Sequence, residues 1–338
     1  MEEVIGAGPM TAGSEFAPPA WMANPHLQSL LASSALRRPL VERRADALIR
    51  ASRAMLFDGG DGARLHGWYA EPVTGRARGL AVLIHGWEGS GNSLYLLSAA
   101  TRLYAEGWAV LRLHLRDHGP THHLNSGIFH SNRIGEVTAA VAHAAQVLPH
   151  RPLCLGGFSL GGNFALRVAV RAPAAGIPLA RVMAVCAVLD PHSTLTAMEQ
   201  GPEIYEAYFM RKWRQSLAIK ARRFPDLYRF GDTRRFRGLR EMTSFFVAGY
   251  TEYRDMGEYL SGYAVTGRAL ADLSVPTWLV NAGDDPVIPA RDLDRLTRSG
   301  ALSVLATRQG GHCGFLPSPF GDSWIDGRMA EYFARATG

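Results

Sequence analysis

The sequence predicts an α/β fold, a mostly parallel doubly wound sheet interrupted by an inserted helical cap. Three observations predict it. Short apolar runs recur without polar alternation, the mark of strands buried on both faces. Helical patterns separate most of them, so successive strands can lie parallel. From residue 192 to residue 270 the rhythm stops, and an aromatic, basic, helix-spaced segment takes over. A chain of 338 residues accommodates one α/β domain with such an insertion.

In chain order, residues 1–45 read as an irregular arm, where PPAW and NPHLQSLLASSALRRP mix turn signals with one short helical run. IRASRAMLF and ARLHGWYAE flank DGGDG and predict a β-hairpin. LAVLIHG (80–86) is a strand, SLYLLSAATRLYAEG an amphipathic helix stopped by Gly107, and WAVLRLHL (108–115) the next strand. RIGEVTAAVAHAAQVL (133–148) reads as helix, PLCLGG as strand, GGNFALRVAVRA as helix and RVMAVCAVLD (181–190) as strand. Strands resume at PTWLVNAGDD (276–285) and SVLATR (303–308), and a helix near SWIDGRMAEYFARA closes the chain. The expected division is an arm at 1–45, an α/β core at 46–191 and 271–338, and a cap at 192–270. Ligands bind at the C-terminal edge of open α/β sheets, so the cap is expected over that edge.

Composition narrows the function classes. No apolar run approaches the roughly 20 residues of a membrane span. Glu2 and Glu3 stand where a signal peptide carries bases, and no apolar core follows, so none is expected. The three cysteines, Cys154, Cys186 and Cys313, are odd in number and lack metal-type pairing. They point to a reducing cytoplasm. The net charge of +6 is uneven: residues 211–240 hold eleven bases and two acids, a net +9, leaving −3 elsewhere. This stretch is read as a solvated helical face. A peripheral contact between Arg211–Arg240 and an anionic membrane is the partner it would suit. No nucleic-acid motif accompanies the charge, and no nucleic-acid partner is expected.

The chemistry concentrates in GGFSLGGN, residues 156–163. Gly157-Phe158-Ser159-Leu160-Gly161 sits between a strand and a helix, where a tight turn presents a serine hydroxyl above the sheet. Side chains two residues to either side would crowd, hence Gly157 and Gly161. The helix dipole behind Ser159 favours developing negative charge. A base is expected on a loop after the last strand, and Gly310-Gly311-His312 offers it. An acid to orient that base is expected after the preceding strand, where Asp284 and Asp285 both stand. Spacing does not choose between them. His85-Gly86-Trp87-Glu88-Gly89 follows another strand and supplies a backbone donor for an oxyanion, with Trp87 N–H as the candidate and His85 and Gly86 in support. Leu160 N–H is the second donor.

With these pieces in view, the sequence resembles the α/β-hydrolase superfamily, and within it the AB hydrolase 4 group of YheT-like and embryogenesis-associated proteins. The resemblance runs through most of the chain. Its pieces are WMANPHLQSL, HGWEGSGNSLYL, LRLHLRDHGPTHHLNSGIFHS, GFSLGGN, MTSFF with GYTEY, NAGDDPVIP and GGHCGF. It implies a Ser–Asp–His esterase without cofactor, acting on acyl esters or lipids. By position, Ser159 is the nucleophile, His312 the base and Asp285 the acid. Asp285 lies four residues before Pro289 in the D-x-x-x-P pattern that many superfamily members carry.

The expected function is a serine carboxylic-ester hydrolase working through an acyl-enzyme on a small-molecule acyl ester or lipid. An alcohol O-acyltransferase with the same residues, or a silent lipid- or partner-binding relative, are the alternatives. Tyr205, Tyr208, Phe209, Trp213, Phe245, Phe246 and Tyr250 in the cap are expected to line an apolar acyl pocket. No metal is expected. His114, His118, His122, His123 and His130 follow a strand and include Gly119-Pro120, so helical ligand spacing does not apply. With Arg116 and Asp117 they are read as a network holding a long loop near the active-site mouth.

Overall fold

The computed structural model describes residues 16–73, 75–297 and 299–337. The chain opens with three helices, α1 (Pro25–Ser33), α2 (Arg38–Arg44) and α3 (Asp46–Ala51). The arm is therefore largely helical from Pro25 onward rather than irregular; its first 15 residues lie outside the described range. Asn24 starts α1 by accepting from the amides of His26 and Leu27, with Pro25 in the first helical position, where no N–H is needed.

The hairpin is β1 (Arg53–Asp58) and β2 (Arg64–Ala70), paired antiparallel. Gly60, Asp61 and Gly62 take positive φ in its turn, which the glycines adopt at little cost. Then come β3 (Leu80–Ile84), α4 (Leu94–Ala105), β4 (Ala109–Leu113), α5 (Ile134–Val147), β5 (Leu153–Phe158), α6 (Leu160–Arg171) and β6 (Leu179–Val185). Four helices follow: α7 (Pro191–Gln200), α8 (Glu203–Arg223), α9 (Leu239–Tyr250) and α10 (Met256–Ser261). The core resumes with β7 (Thr277–Ala282), β8 (Leu302–Thr307) and α11 (Trp324–Ala334).

One eight-stranded sheet runs in the order β1-β2-β4-β3-β5-β6-β7-β8. β2 is antiparallel to β4, and every pairing from β4 to β8 is parallel. All five residues of β3 are buried because helices cover both faces. Val82 and Ile84 join one apolar layer with Val141 of α5 and Phe164 of α6. Ala81 and Leu83 join the other with Leu97 of α4 and Met329 of α11.

The chain leaves β3 toward β4, then crosses back to β5 on the other side of β3. The C-terminal ends of β3 and β5 thus form the switch point of the sheet, the place where ligands bind in open α/β folds. Among the described residues no helix is long and apolar enough to cross a membrane.

Candidate active site

The turn after β5 is built by steric exclusion. Ser159 holds φ 54° and ψ −121°, away from both helix and strand, and α6 begins at the next residue. A Cβ on Gly157 would lie 2.1 Å from the Gly161 carbonyl oxygen. A Cβ on Gly161 would lie 2.3 Å from the oxygen of Ile84 and 2.4 Å from that of His85. Gly161 thus clears the end of β3 rather than Gly157, and both glycines let the turn close. Ser159 N–H donates to Val185 O at 2.8 Å and the Asn163 amide to Ser159 O at 3.1 Å, so the strained residue is held from both sides.

Three side chains distant in sequence meet here. Ser159 Oγ stands 3.0 Å from His312 Nε2. His312 Nδ1 lies 2.9 Å from Asp285 Oδ2 and 3.2 Å from Asp285 Oδ1. Asp285 Oδ1 also accepts the amides of Val287 at 2.8 Å and Ile288 at 3.0 Å. Asp284 points elsewhere, and its Oδ1 accepts Gly311 N–H at 2.9 Å, bracing the loop that carries the histidine. Burial works against a charged His312, but the Asp285 carboxylate beside it prevails and holds the ring well above its ordinary pKa.

The turn after β3 approaches closely, with a Cβ on Gly86 falling 3.1 Å from Ser159 Cβ. Gly86 N–H donates to the Tyr95 hydroxyl at 3.0 Å. Among the described residues, neither Trp87 N–H nor Leu160 N–H has an acceptor within the protein. Both residues line the cavity at Ser159. His85 braces this turn: Nδ1–H donates to Gly86 O at 2.7 Å, and Nε2 accepts Leu115 N–H at 3.2 Å. That pattern requires the neutral ring, and burial, with His114 beside it, pushes His85 down to about 3.

The sequence reading missed the arm's part in this site. Ser29 Oγ of α1 accepts His312 N–H at 2.8 Å while donating to Pro25 O at 2.6 Å. Gln28, fully buried, donates to Met22 O at 2.9 Å and Leu316 O at 3.0 Å and accepts Leu316 N–H at 2.8 Å. A Cβ on Gly311 would lie 2.4 Å from Pro25 O, so helix and loop touch backbone to backbone. The sequence offered a short helical run in NPHLQSLLASS, and WMANPHLQSL as a piece of the family resemblance, but neither names the loop that Gln28 and Ser29 hold.

Two cavities flank Ser159. The first, about 90 Å³, is apolar and lies under the cap, walled by Trp87, Phe209, Trp213, Leu195, Phe246 and Val287. Trp87 stacks on Phe209 with ring centroids 5.3 Å apart. The second, about 600 Å³, opens beside His312 and is more polar, with Glu88, Lys212 and His118 in its wall and Arg38 from the arm. Tyr205 and Tyr208 line this second cavity rather than the apolar one. Phe245 and Tyr250, expected in the pocket, line neither. They pack in the cap's own aromatic cluster, Phe245 on Phe236 at 4.7 Å and Tyr250 on Phe230 at 4.6 Å. Burial raises Glu88 to about 8.

The long loop after β4 joins core to cap. Arg116 pairs with Glu136 of α5 at 2.5 Å, and Asp117 Oδ2 accepts Phe129 N–H at 2.8 Å. Lys220 of α8, buried, donates to Asp117 Oδ1 at 2.9 Å, Asn125 O at 2.7 Å and Gly127 O at 2.8 Å. Lys220 was counted in the surface charge of 211–240 and has to be removed from it. Three of the loop's histidines have fixed partners: His114 Nε2 accepts Gly91 N–H, His118 Nδ1–H donates to Arg116 O, and His122 Nε2 meets Ser216 Oγ, whereas buried His130 has no hydrogen-bond partner on either ring nitrogen among the described residues.

The alpha/beta hydrolase family matches residues 81–322. This chain belongs to that family. It is 23% identical over 339 residues to "Putative esterase YheT" of Escherichia coli (strain K12), covering 96% of this chain and 95% of that protein. Among solved structures of the fold, the Pyrococcus furiosus esterase Pf2001 superposes with a TM-score of 0.56 at 16% identity, covering 85% of this chain and 91% of that one. Est1E from Butyrivibrio proteoclasticus superposes with a TM-score of 0.52 at 15% identity, covering 84% and 98%. The candidate residues stand on loops at the C-terminal ends of strands: Trp87 after β3, Ser159 after β5, Asp285 after β7 and His312 after β8.

Proposed function

We propose that this chain is a serine hydrolase that cleaves carboxylic esters through an acyl-enzyme. The observation that carries the reading is the unbroken relay Asp285–His312–Ser159, ending at a hydroxyl beside two amides that have no acceptor among the described residues. Ser159 Oγ attacks the ester carbonyl and His312 Nε2 takes its proton. The tetrahedral oxyanion is held by Trp87 and Leu160 N–H, each such donor lowering the barrier by about 3 kcal/mol. Collapse breaks the C–O bond, and His312 returns the proton to the departing alcohol. Water activated by the same nitrogen then releases the acid. In the neutral ring Asp285 holds Nδ1–H toward itself, which leaves Nε2 to take the serine proton, and the same carboxylate stabilises the imidazolium that forms.

The apolar cavity under the cap suits the acyl chain, and the larger polar cavity suits the alcohol portion. The exposed arginines around Arg222, Arg229 and Arg237 remain as a proposed contact for anionic lipid head groups, now without Lys220. Vesicles rich in anionic lipid should co-sediment the protein at low salt and release it at high salt; equal binding to neutral vesicles would remove this contact.

A fluorophosphonate probe tests the core reading. It should label the wild type and leave Ser159→Ala unlabelled. Equal labelling of both would overturn the assignment. A panel of p-nitrophenyl esters of increasing acyl length then reads the preference of the apolar cavity.

A further inference from the structure

Behind the candidate base lies a second chemical grouping. Cys186 follows β6, and Cys313 follows His312. Cys186 Sγ, Cys313 Sγ and a ring nitrogen of His312 all lie within 4.8 Å of one another. The two thiols sit side by side at the edge of an apolar layer: Cys313 N–H donates to Cys186 Sγ at 3.4 Å, and Cys186 Sγ contacts Gly311 O at 3.7 Å. Both cysteines hold positive φ, 45° and 59°, where a Cβ is disfavoured. Cys313 and His312 also form part of the wall of the larger cavity, so a small ion has an entry path.

We propose that Cys186, Cys313 and His312 bind a thiophilic d¹⁰ metal ion such as Zn²⁺, and that the bound ion switches the hydrolase off. Two sulfurs and one imidazole nitrogen form a soft donor set that selects zinc or copper(I) over magnesium or calcium. In a tetrahedral site, metal–sulfur bonds of about 2.3 Å and metal–nitrogen bonds of about 2.0 Å put neighbouring donors roughly 3.5–3.8 Å apart. The trio reaches that spacing with shifts of about an ångström or less. On binding, each thiol gives up its proton to solvent, one ring nitrogen of His312 exchanges its contact with Asp285 or Ser159 for the ion, and one water stays on the fourth position. A metal-held ring can no longer relay a proton between Ser159 and the substrate. The switching rests on the function proposed above; the binding does not.

The test uses the full-length protein stripped with a chelator. Zinc titrated in competition with a chromophoric indicator should bind one equivalent, and Co²⁺ should bring up thiolate-to-cobalt charge-transfer absorption. Ser159→Ala should bind unchanged. Cys186→Ala should lose about tenfold or more in affinity and the charge-transfer band, with Cys313→Ala as a second variant should the first not fold. With p-nitrophenyl ester as substrate, one equivalent of zinc should inhibit the wild type, a chelator should restore it, and the ester turnover that Cys186→Ala retains should not respond to zinc. No zinc bound by the wild type, equal affinity in the cysteine variants, or cobalt binding without a thiolate band would each overturn the site. Binding intact with no ester turnover from the metal-free enzyme would instead count against the proposed function.

Discussion

At the scale of single residues, two neighbouring aspartates separate into different tasks. Asp285 spends its carboxylate on His312 and on two amides of its own turn, whereas Asp284 accepts the Gly311 amide. Asp285→Asn should therefore lower kcat by about 10⁴-fold, because the amide stabilises the wrong ring tautomer. Asp284→Asn keeps an acceptor oxygen for Gly311 and should cost far less. Steady-state kinetics on one ester compares them, and equal losses would refute the division of labour. The residues alone left that choice open, since both aspartates satisfy the spacing and only the direction of each carboxylate decides it.

At the scale of elements, the arm helix α1 is part of the active-site scaffold. The loop after β8 is glycine-rich and would wander if left alone, yet Ser29 and Gln28 hold it at three backbone positions, His312 N, Leu316 N and Leu316 O. Ser29→Ala removes one acceptor and should reduce kcat by roughly 10- to 100-fold with KM little changed, because a base displaced by about an ångström reacts poorly. A rise in KM at constant kcat would mean that α1 serves substrate binding instead. The loop after β4 plays the matching part on the other side. Its buried Arg116–Glu136 and Asp117–Lys220 pairs join the core to α8, so the cap sits on the sheet through charges withdrawn from water. Removing one partner of such a pair leaves an uncompensated buried charge, the costly half of the exchange.

At the scale of the whole molecule, an unusual number of histidines are buried in the neutral form. His85, His114 and His130 are pushed down to about 3 and His122 to about 4, by burial first and by neighbouring rings and basic side chains second. The unfolded chain takes up these protons near the ordinary value of 6.5, and the folded chain refuses them until far lower pH. Their contribution to stability is thus fully present above about pH 6.5 and is lost progressively as pH falls toward 3, while buried Glu88, raised to about 8, and Asp326, raised to about 7, contribute in the opposite sense. Replacing His130 by Phe removes one such ring and should raise the unfolding midpoint at pH 5, relative to that at pH 7.5, compared with the wild type. The same pH dependence in the variant and the wild type would contradict the neutral burial of this ring.

The sequence by itself determined the order of strands and helices, the turn that presents Ser159, and the stations of His312 and the Trp87 amide. Those signals are local: periodicity marks buried elements, and glycines mark turns that no Cβ could enter. Tertiary structure alone decided the helical arm's grip on the base, the withdrawal of Lys220 from the surface and the inward turn of Phe245 and Tyr250 within the cap. It alone also brought two cysteines and a histidine together behind the nucleophile. Each of these depends on segments far apart in the chain meeting across the sheet, as Gln28 meets Leu316, and a partner that distant leaves no periodic trace in the residues nearby.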